Sequence, residues 1–193
     1  MNLEDYHFNV GQVREALREA AAKYPLLPGL AYTSAYDFVA QHGKDYRPTP
    51  WQFRYSQGAK AQCFGNAISL AGKYGLKYVE GFALSPFGEG IVHGWNAGPD
   101  GELVDSTWCN TGLIYIGVEF SLERGDDATW NGDAHVLNDD RRNYPVFQQV
   151  WRGEDYSLEW PHSDRIEAMR RYMQTGYYEE PPSVTAWLKE QQQ

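Results

Sequence analysis

The sequence predicts an α+β fold, in which an antiparallel sheet packs against a helix that carries a cysteine near its start. Residues 61–74 place small and apolar residues at helical spacing, and Gly75 follows them as a stop signal. Because nearly every side of this helix is apolar or small, we expect it to be buried. Segments rich in β-branched and aromatic residues follow and predict strands at 77–84, 90–96, 102–108 and 113–120. Helices first and strands afterwards are typical of the α+β class.

The cysteine-bearing helix and the strands form a predicted core at residues 51–120. With the segments before and after it, the sequence predicts one domain of residues 1–193. A chain of 193 residues is close to the size of a single domain of roughly 150 residues. A first helix is expected from about Val10 to Tyr24, and Ser34 with Asp37 forms a capping pattern before a short helix ending at Gly43. The pattern further predicts loops at 44–60 and 124–145 and helices at 164–174 and 183–191.

Charge and composition exclude several classes of partner. There are 26 acidic against 17 basic side chains, a net charge of −9, so neither nucleic acid nor an anionic membrane surface would be attracted. No apolar run approaches the roughly 20 residues of a membrane span, and the start shows no secretory signal. Two cysteines are too few for a disulfide framework. We therefore expect a cytoplasmic protein and leave its oligomeric state open.

Cys63 is the first candidate for chemistry. It lies at or near the start of the predicted helix, where free N–H groups and partial positive charge favour a thiolate. The same N–H groups can bind a developing oxyanion. A single cysteine is also common as a small core residue, so Cys63 alone does not establish a nucleophile.

His93 and Asp105 complete a candidate triad. If residues 97–101 form the loop of a hairpin, Asn96 pairs with Glu102 and His93 lies directly opposite Asp105. The carboxylate would then hold the imidazole, leaving its other nitrogen for Cys63. An ordinary cross-strand polar pair is the alternative, and a register slip of one residue would separate the two side chains.

Residues 63–108 resemble the transglutaminase-like branch of the papain-type cysteine enzymes. The resemblance lies in the stretches Cys63-Phe64-Gly65-Asn66-Ala67, Gly75-Leu76-Lys77-Tyr78-Val79-Glu80-Gly81-Phe82, His93-Gly94-Trp95-Asn96 and Val104-Asp105-Ser106-Thr107-Trp108. It implies Cys63 as nucleophile, His93 as general base and acid, and Asp105 as the orienting residue, without a cofactor or a metal. Ser106 stands where proline is common in the family, and the segment after Gly75 is short.

The resemblance implies acyl transfer through a thioester on Cys63, most simply as a protease or amidase acting on a protein or peptide. Gln57 is a candidate oxyanion donor, with Tyr55 and Trp51 as competitors, because the run Gln57-Gly58-Ala59-Lys60-Ala61-Gln62-Cys63 also looks like the papain motif. Trp95 and Trp108 flank the expected site and either line a substrate groove, together with Tyr55 and Trp51, or belong to the core.

Other functions stay open at this point. The same triad serves a transamidase or a deamidase, and a protein-binding module can keep the fold without turnover. A metal hydrolase built on His93, His135 and the acidic residues near His135 is a further alternative, although no paired-histidine spacing supports it. We interpret the acidic stretch as a solvated loop rather than a calcium site. Its acidic residues are Asp126, Asp127, Asp133, Asp139 and Asp140. Cys109 is expected to be an inert thiol.

Overall fold

The computed structural model describes most of the first 151 residues. The described ranges are residues 3–27, 30–130, 135–139, 145–148 and 150–151. All of them belong to the first of two compact units, Met1–Glu154. The predicted helices at 164–174 and 183–191 lie outside the described residues, and the single domain of residues 1–193 stays a prediction.

The α+β class is confirmed, since the described residues form four α-helices and one antiparallel sheet of five strands. The helices are α1 (Leu3–Ala21), α2 (Ala35–His42), α3 (Cys63–Tyr74) and α4 (Leu122–Trp130). The strands are β1 (Lys44–Asp45), β2 (Lys77–Leu84), β3 (Gly90–Ala97), β4 (Leu103–Val104) and β5 (Ile114–Phe120). The order across the sheet is β1-β5-β2-β3-β4, and short 3-10 turns follow at Val136–Asn138 and Pro145–Phe147.

The ends of several elements differ from the prediction. The first helix begins at Leu3 and ends at Ala21, rather than running from Val10 to Tyr24. The predicted loop 44–60 begins with β1, which pairs with β5. The predicted strand 102–108 is only two residues long as β4.

The prediction of a loop at 124–145 is also wrong for its first residues, because α4 continues to Trp130. The Ser121 hydroxyl accepts a hydrogen bond from the backbone N–H of Arg124 at 3.2 Å and so caps the helix. Gly125 lies against the Tyr78 ring, which a Cβ at this position would meet at 2.5 Å, and Ala128 is fully buried. Packing against the sheet therefore overrides a composition rich in Asp and Gly.

The register of β2 and β3 assigns their side chains to two faces of the sheet. Tyr78, Glu80 and Phe82 lie opposite Asn96, Gly94 and Val92, whereas Val79 and Gly81 lie opposite Trp95 and His93. Opposed residues share a face, so the Glu80 side chain is on one face and the His93 side chain on the other. We call these the Glu80 face and the His93 face.

Helix α3 packs on the Glu80 face. The Asn96 side chain donates a hydrogen bond to the backbone oxygen of Ala67 at 2.8 Å, which ties the middle of the helix to β3. Only one side of α3 is buried, along Ala67, Leu70 and Ala71. The expectation of a helix buried on all sides is therefore wrong, and its small residues Gly65, Ser69 and Gly72 face solvent.

None of the helices among the described residues has both the length and the apolar character needed to cross a membrane.

Candidate active site

Cys63 is the first residue of α3, as the sequence predicted. The residue before it, Gln62, makes no capping hydrogen bond with its side chain, so the first-turn N–H groups have no side-chain cap. Ala61 adopts a left-handed backbone conformation, φ 58°, which a residue with a Cβ adopts only at a cost. Cys63 and Cys109 are both free and partly exposed, so no disulfide removes the candidate nucleophile.

Gly94 brings the start of α3 against the sheet beside His93. A Cβ on Gly94 would lie 2.8 Å from Cδ1 and 3.1 Å from Cα of Phe64, the residue after Cys63. With a larger residue here the Phe64 ring would have to shift and its backbone to give by a few tenths of an ångström, because Cβ atoms are essentially never found closer than 3.0 Å to other heavy atoms. The glycine in the pair His93-Gly94 thus allows the helix that Cys63 begins to pack closely against β3.

The hairpin register differs from the predicted one by two residues. Asn96 pairs with Val104 and Ala97 pairs with Leu103, so the pairing of Asn96 with Glu102 is wrong, as is the direct opposition of His93 and Asp105. The turn begins at Gly98, whose N–H donates to the Glu102 carbonyl oxygen at 2.9 Å. A shift by two residues keeps every side chain on its predicted face.

His93 and Asp105 nevertheless meet. Nε2 of His93 lies 3.0 Å from Oδ2 of Asp105, and both side chains are almost completely buried. Strand β4 ends at Val104, and Asp105 starts a turn in which its Oδ1 accepts from the N–H groups of Thr107 and Trp108, at 2.9 and 3.2 Å. This Asx-type turn is the local reason that the strand stops and the carboxylate points at His93.

The Asp105 carboxylate has further support. The Tyr115 hydroxyl donates to Oδ2 at 2.8 Å, which makes four hydrogen-bond donors with His93, Thr107 and Trp108. The backbone N–H of Asp105 donates to the Asn110 side chain at 2.7 Å. A buried carboxylate with this many donors has a fixed position from which to orient an imidazole.

Both Asp105 and Cys63 affect the pKa of His93. Burial lowers this pKa, but the hydrogen bond to Asp105 and the negative charges of Asp105 and Cys63 outweigh burial and raise the pKa to about 9. Nδ1 of His93 has no hydrogen-bond partner of good geometry among the described residues, so it is the nitrogen left for Cys63. The Trp108 ring stacks on the imidazole with centroids 3.9 Å apart and planes at 12°. The ring is therefore held on its edge by Asp105 and on its face by Trp108.

The other residues predicted for the site lie in different environments. Trp95 is 1% exposed in the core of the His93 face, so it does not line an open groove. Trp51, Tyr55 and Gln57 line a cavity of about 730 Å³ together with Cys109. Tyr55 is buried, whereas Gln57 is exposed and lies in the chain before Gly58, whose N–H bonds to the Ser106 carbonyl oxygen at 2.9 Å.

A second imidazole–carboxylate pair, which the sequence analysis missed, lies on the Glu80 face. Nδ1 of His135 is 2.9 Å from the Glu80 carboxylate, which is fully buried. Glu80 also accepts from the Tyr78 hydroxyl at 2.6 Å and from the N–H groups of Val136 and Leu137 at 2.8 and 3.0 Å. The available signal in the sequence was a glutamate between Tyr78 and Phe82 on one face of a central strand, because a buried carboxylate requires hydrogen-bond partners.

The His135 ring connects this network to the nucleophile. It stacks on Phe64 with centroids 4.1 Å apart and planes at 9°. The charge of Cys63 is one of the causes, after burial and Glu80, that raise the pKa of Tyr78. Through Phe64, the first turn of α3 thus lies next to both Gly94, beside His93, and the Glu80 network.

The acidic residues near His135 do not assemble into a metal site in the part of the chain that the structure covers. Asp126 and Asp127 belong to α4, and Asp139 is buried. Asp133 and Asp140 lie outside the described residues. Among those described, no group of three or more His, Cys, Asp or Glu side chains is arranged to hold a metal ion.

Comparisons with protein-family models, with the curated proteins and with the solved structures find no match for this chain. The functional interpretation therefore rests on the geometry of Cys63, His93 and Asp105.

Proposed function

We propose that this protein is a cysteine-dependent acyl-transfer enzyme of the transglutaminase-like, papain-type class, acting as a protease or amidase. The observation that carries the proposal is the position of His93: its Nε2 is bonded to buried Asp105, and the next residue, Gly94, packs against the first turn of the helix that Cys63 begins. A thiol beside an imidazole that a carboxylate orients is the arrangement that nucleophilic acyl transfer requires. A cysteine-bearing helix on an antiparallel sheet is also the architecture that the resemblance implies.

In the first half of the reaction, Sγ of Cys63 attacks the carbonyl carbon of an amide. The C–S bond forms, and the electron pair of the C=O bond moves onto oxygen. When the carbonyl re-forms, the C–N bond breaks, and the proton from Nδ1 of His93 goes to the leaving nitrogen. The product amine departs and a thioester remains on Cys63.

In the second half, His93 takes a proton from water as the water oxygen attacks the thioester. The C–S bond breaks, the acid is released, and the proton on His93 again faces a Cys63 thiolate. An amine in place of water gives transamidation, and a glutamine side chain as the first substrate gives deamidation. These remain alternatives on the same triad.

The oxyanion would be stabilised by the N–H groups at the start of α3. The Cys63 N–H is at the positive end of a helix of 12 residues, where partial charge favours an anion. Gln57 remains the candidate for a second donor, because it is exposed and lies beside the turn that holds Asp105.

Capture of the acyl-enzyme tests the proposal. The protein is mixed with p-nitrophenyl acetate, and acetylation of Cys63 and Cys109 is followed by peptide mass spectrometry. We expect rapid acetylation of Cys63 and slow acetylation of Cys109, whose pKa is raised by burial and by the Asp105 charge. Cys63→Ala should lower p-nitrophenol release by roughly 10³-fold or more, as loss of a triad member does. Equal, slow acetylation of both thiols would instead favour a binding module without turnover.

A further inference from the structure

The loop that leads into α3 is fastened to the helix by one side chain. Oδ1 of Asn66 accepts a hydrogen bond from the backbone N–H of Ala59 at 3.1 Å, and Nδ2 of Asn66 donates to the backbone oxygen of Ala59 at 2.7 Å. The backbone N–H of Asn66 donates to the Gln62 carbonyl oxygen at 2.8 Å, which closes the first turn of the helix. Asn66 therefore holds the loop before Cys63 as well as the turn that Cys63 begins.

The same side chain reaches the turn that carries the candidate acid. Nδ2 of Asn66 also donates to Oγ1 of Thr107 at 2.9 Å, so both hydrogens of the amide are used. The backbone N–H of Thr107, a buried residue, donates to Oδ1 of Asp105 at 2.9 Å, and the other carboxylate oxygen bonds to His93. A continuous series of hydrogen bonds thus runs from α3 through Thr107 and Asp105 to the imidazole.

The loop, the helix and the turn are packed together at this point. The backbone N–H of Gly58 donates to the Ser106 carbonyl oxygen at 2.9 Å, which places the loop against the turn. A Cβ on Gly58 would collide with the Asn66 side chain, so the loop backbone also lies directly on this amide. Asn66 therefore joins α3 to two segments that also contact each other.

The spacing along α3 puts Cys63 on the side of the helix that faces this turn. Cys63 precedes Asn66 by three residues, and side chains three residues apart are neighbours on the surface of a helix. Because the Asn66 side chain bonds to Thr107, the turn lies on that same side.

We propose that Asn66 is a positioning residue, which sets the distance between Sγ of Cys63 and the pair of His93 and Asp105 through its hydrogen bond to Thr107. This inference rests on the proposed function, and in it Asn66 acts through the two segments that it joins rather than on the substrate. Without the bond to Thr107, the first turn of α3 and the Asp105 turn can separate, and the thiolate loses part of its contact with the imidazolium.

The pH dependence of Cys63 alkylation tests this proposal without a known substrate. A thiolate beside an imidazolium forms at lower pH than an ordinary thiol, whose pKa is about 8.5, so the midpoint of the pH profile reports how closely the two groups meet. The rate of alkylation by iodoacetamide is measured from about pH 5 to about pH 9, and peptide mass spectrometry distinguishes Cys63 from Cys109. Asn66→Ala removes all three side-chain hydrogen bonds, whereas Thr107→Val removes only the hydroxyl and keeps the branched shape.

We expect each of these variants to lower the Cys63 rate at about pH 6 by about fivefold, the effect of one hydrogen bond, and to raise the midpoint of the profile. Thr107→Ser, which keeps the hydroxyl, should recover the rate and the midpoint. Glu119→Ala is the control for stability, because it removes hydrogen bonds at a partly exposed position on β5 and should leave the Cys63 profile unchanged.

A wild-type rate and midpoint in Thr107→Val would overturn the inference, even if Asn66→Ala slows the reaction or fails to fold. An equal change in Glu119→Ala would overturn it as well, because a general loss of stability would then explain the result. The proposed function fails separately, if wild-type Cys63 reacts with iodoacetamide no faster than Cys109.

Discussion

His93 and Asp105 are joined by a hydrogen bond of 3.0 Å although they are not opposed in the hairpin. Strand β4 ends one residue before Asp105, and the turn that follows folds the carboxylate back towards the imidazole. The position of Asp105 is therefore set by its own turn and by the Asn110 side chain that bonds to its N–H. A pairing error of two residues leaves the dyad intact because it preserves the face and because the turn, rather than the ladder, places the acid.

The two partners of His93 should make separate contributions to its pKa. Asp105 raises it by a hydrogen bond and by charge, Cys63 raises it by charge, and together they outweigh burial and bring the pKa to about 9. We expect Cys63→Ala to lower the pKa of His93 and Asp105→Asn to lower it more. NMR titration of the imidazole measures both, and His42, which lies in α2 beside Tyr32, is the internal reference. A pKa of His93 that Cys63→Ala does not move would mean that the sulfur and the ring are not in contact.

Gly94→Ala should displace the start of α3. The added Cβ would be 3.1 Å from the Phe64 backbone, which must move and take Cys63 with it. We expect the free energy of unfolding to fall by about 1–3 kcal/mol, as in other overpacked sites, and alkylation of Cys63 to slow. The matched control is Gly72→Ala in the same helix, where the nearest atom is a Leu122 methyl at 3.7 Å. If both variants alkylate at the wild-type rate, the glycine does not position the nucleophile.

Glu80→Ala should be among the most destabilising substitutions in the described part of the chain. It leaves the Tyr78 hydroxyl, the N–H groups of Val136 and Leu137, and His135 without their acceptor in a buried place. At about 1–3 kcal/mol for each unsatisfied group, a loss of at least 3 kcal/mol is expected in thermal or urea unfolding. Glu119→Ala is the control, since Glu119 accepts from Lys44 and Tyr46 at a partly exposed site and should cost about 1 kcal/mol. Similar losses in the two variants would contradict the assignment of Glu80 as a buried network centre.

The sequence was most informative where one local signal determines the structure. Helical spacing and the stop signal Gly75, which is left-handed at φ 67°, predicted α3, and segments rich in β-branched and aromatic residues predicted β2 and β5 to within a residue. The register of the β3–β4 hairpin was misjudged because the turn Gly98-Pro99-Asp100-Gly101 does not specify which flanking residues pair first. The packing of Gly125 on Tyr78, which supports α4, has no local signal at all.

The three residues of the candidate triad could be predicted from the sequence, but the contacts that surround them could not. Cys63, His93 and Asp105 could be proposed from their residue types and order, since a helix start and two strands were visible. The contact of Glu80 with His135 joins residues 55 positions apart and depends on where the chain returns after α4. The stacking of Trp108 on His93 likewise depends on the turn that ends β4. The sequence analysis predicted that the strand continues through this turn to residue 108.

The most direct test of the central claim is the rate at which iodoacetamide alkylates Cys63 and Cys109 at about pH 6, followed by peptide mass spectrometry. A thiolate paired with the His93 imidazolium reacts at this pH, whereas an ordinary thiol is almost entirely protonated. We predict that Cys63 is alkylated many times faster than Cys109, and that His93→Ala removes the difference. Equal and slow alkylation of the two cysteines in the wild-type protein would contradict the account.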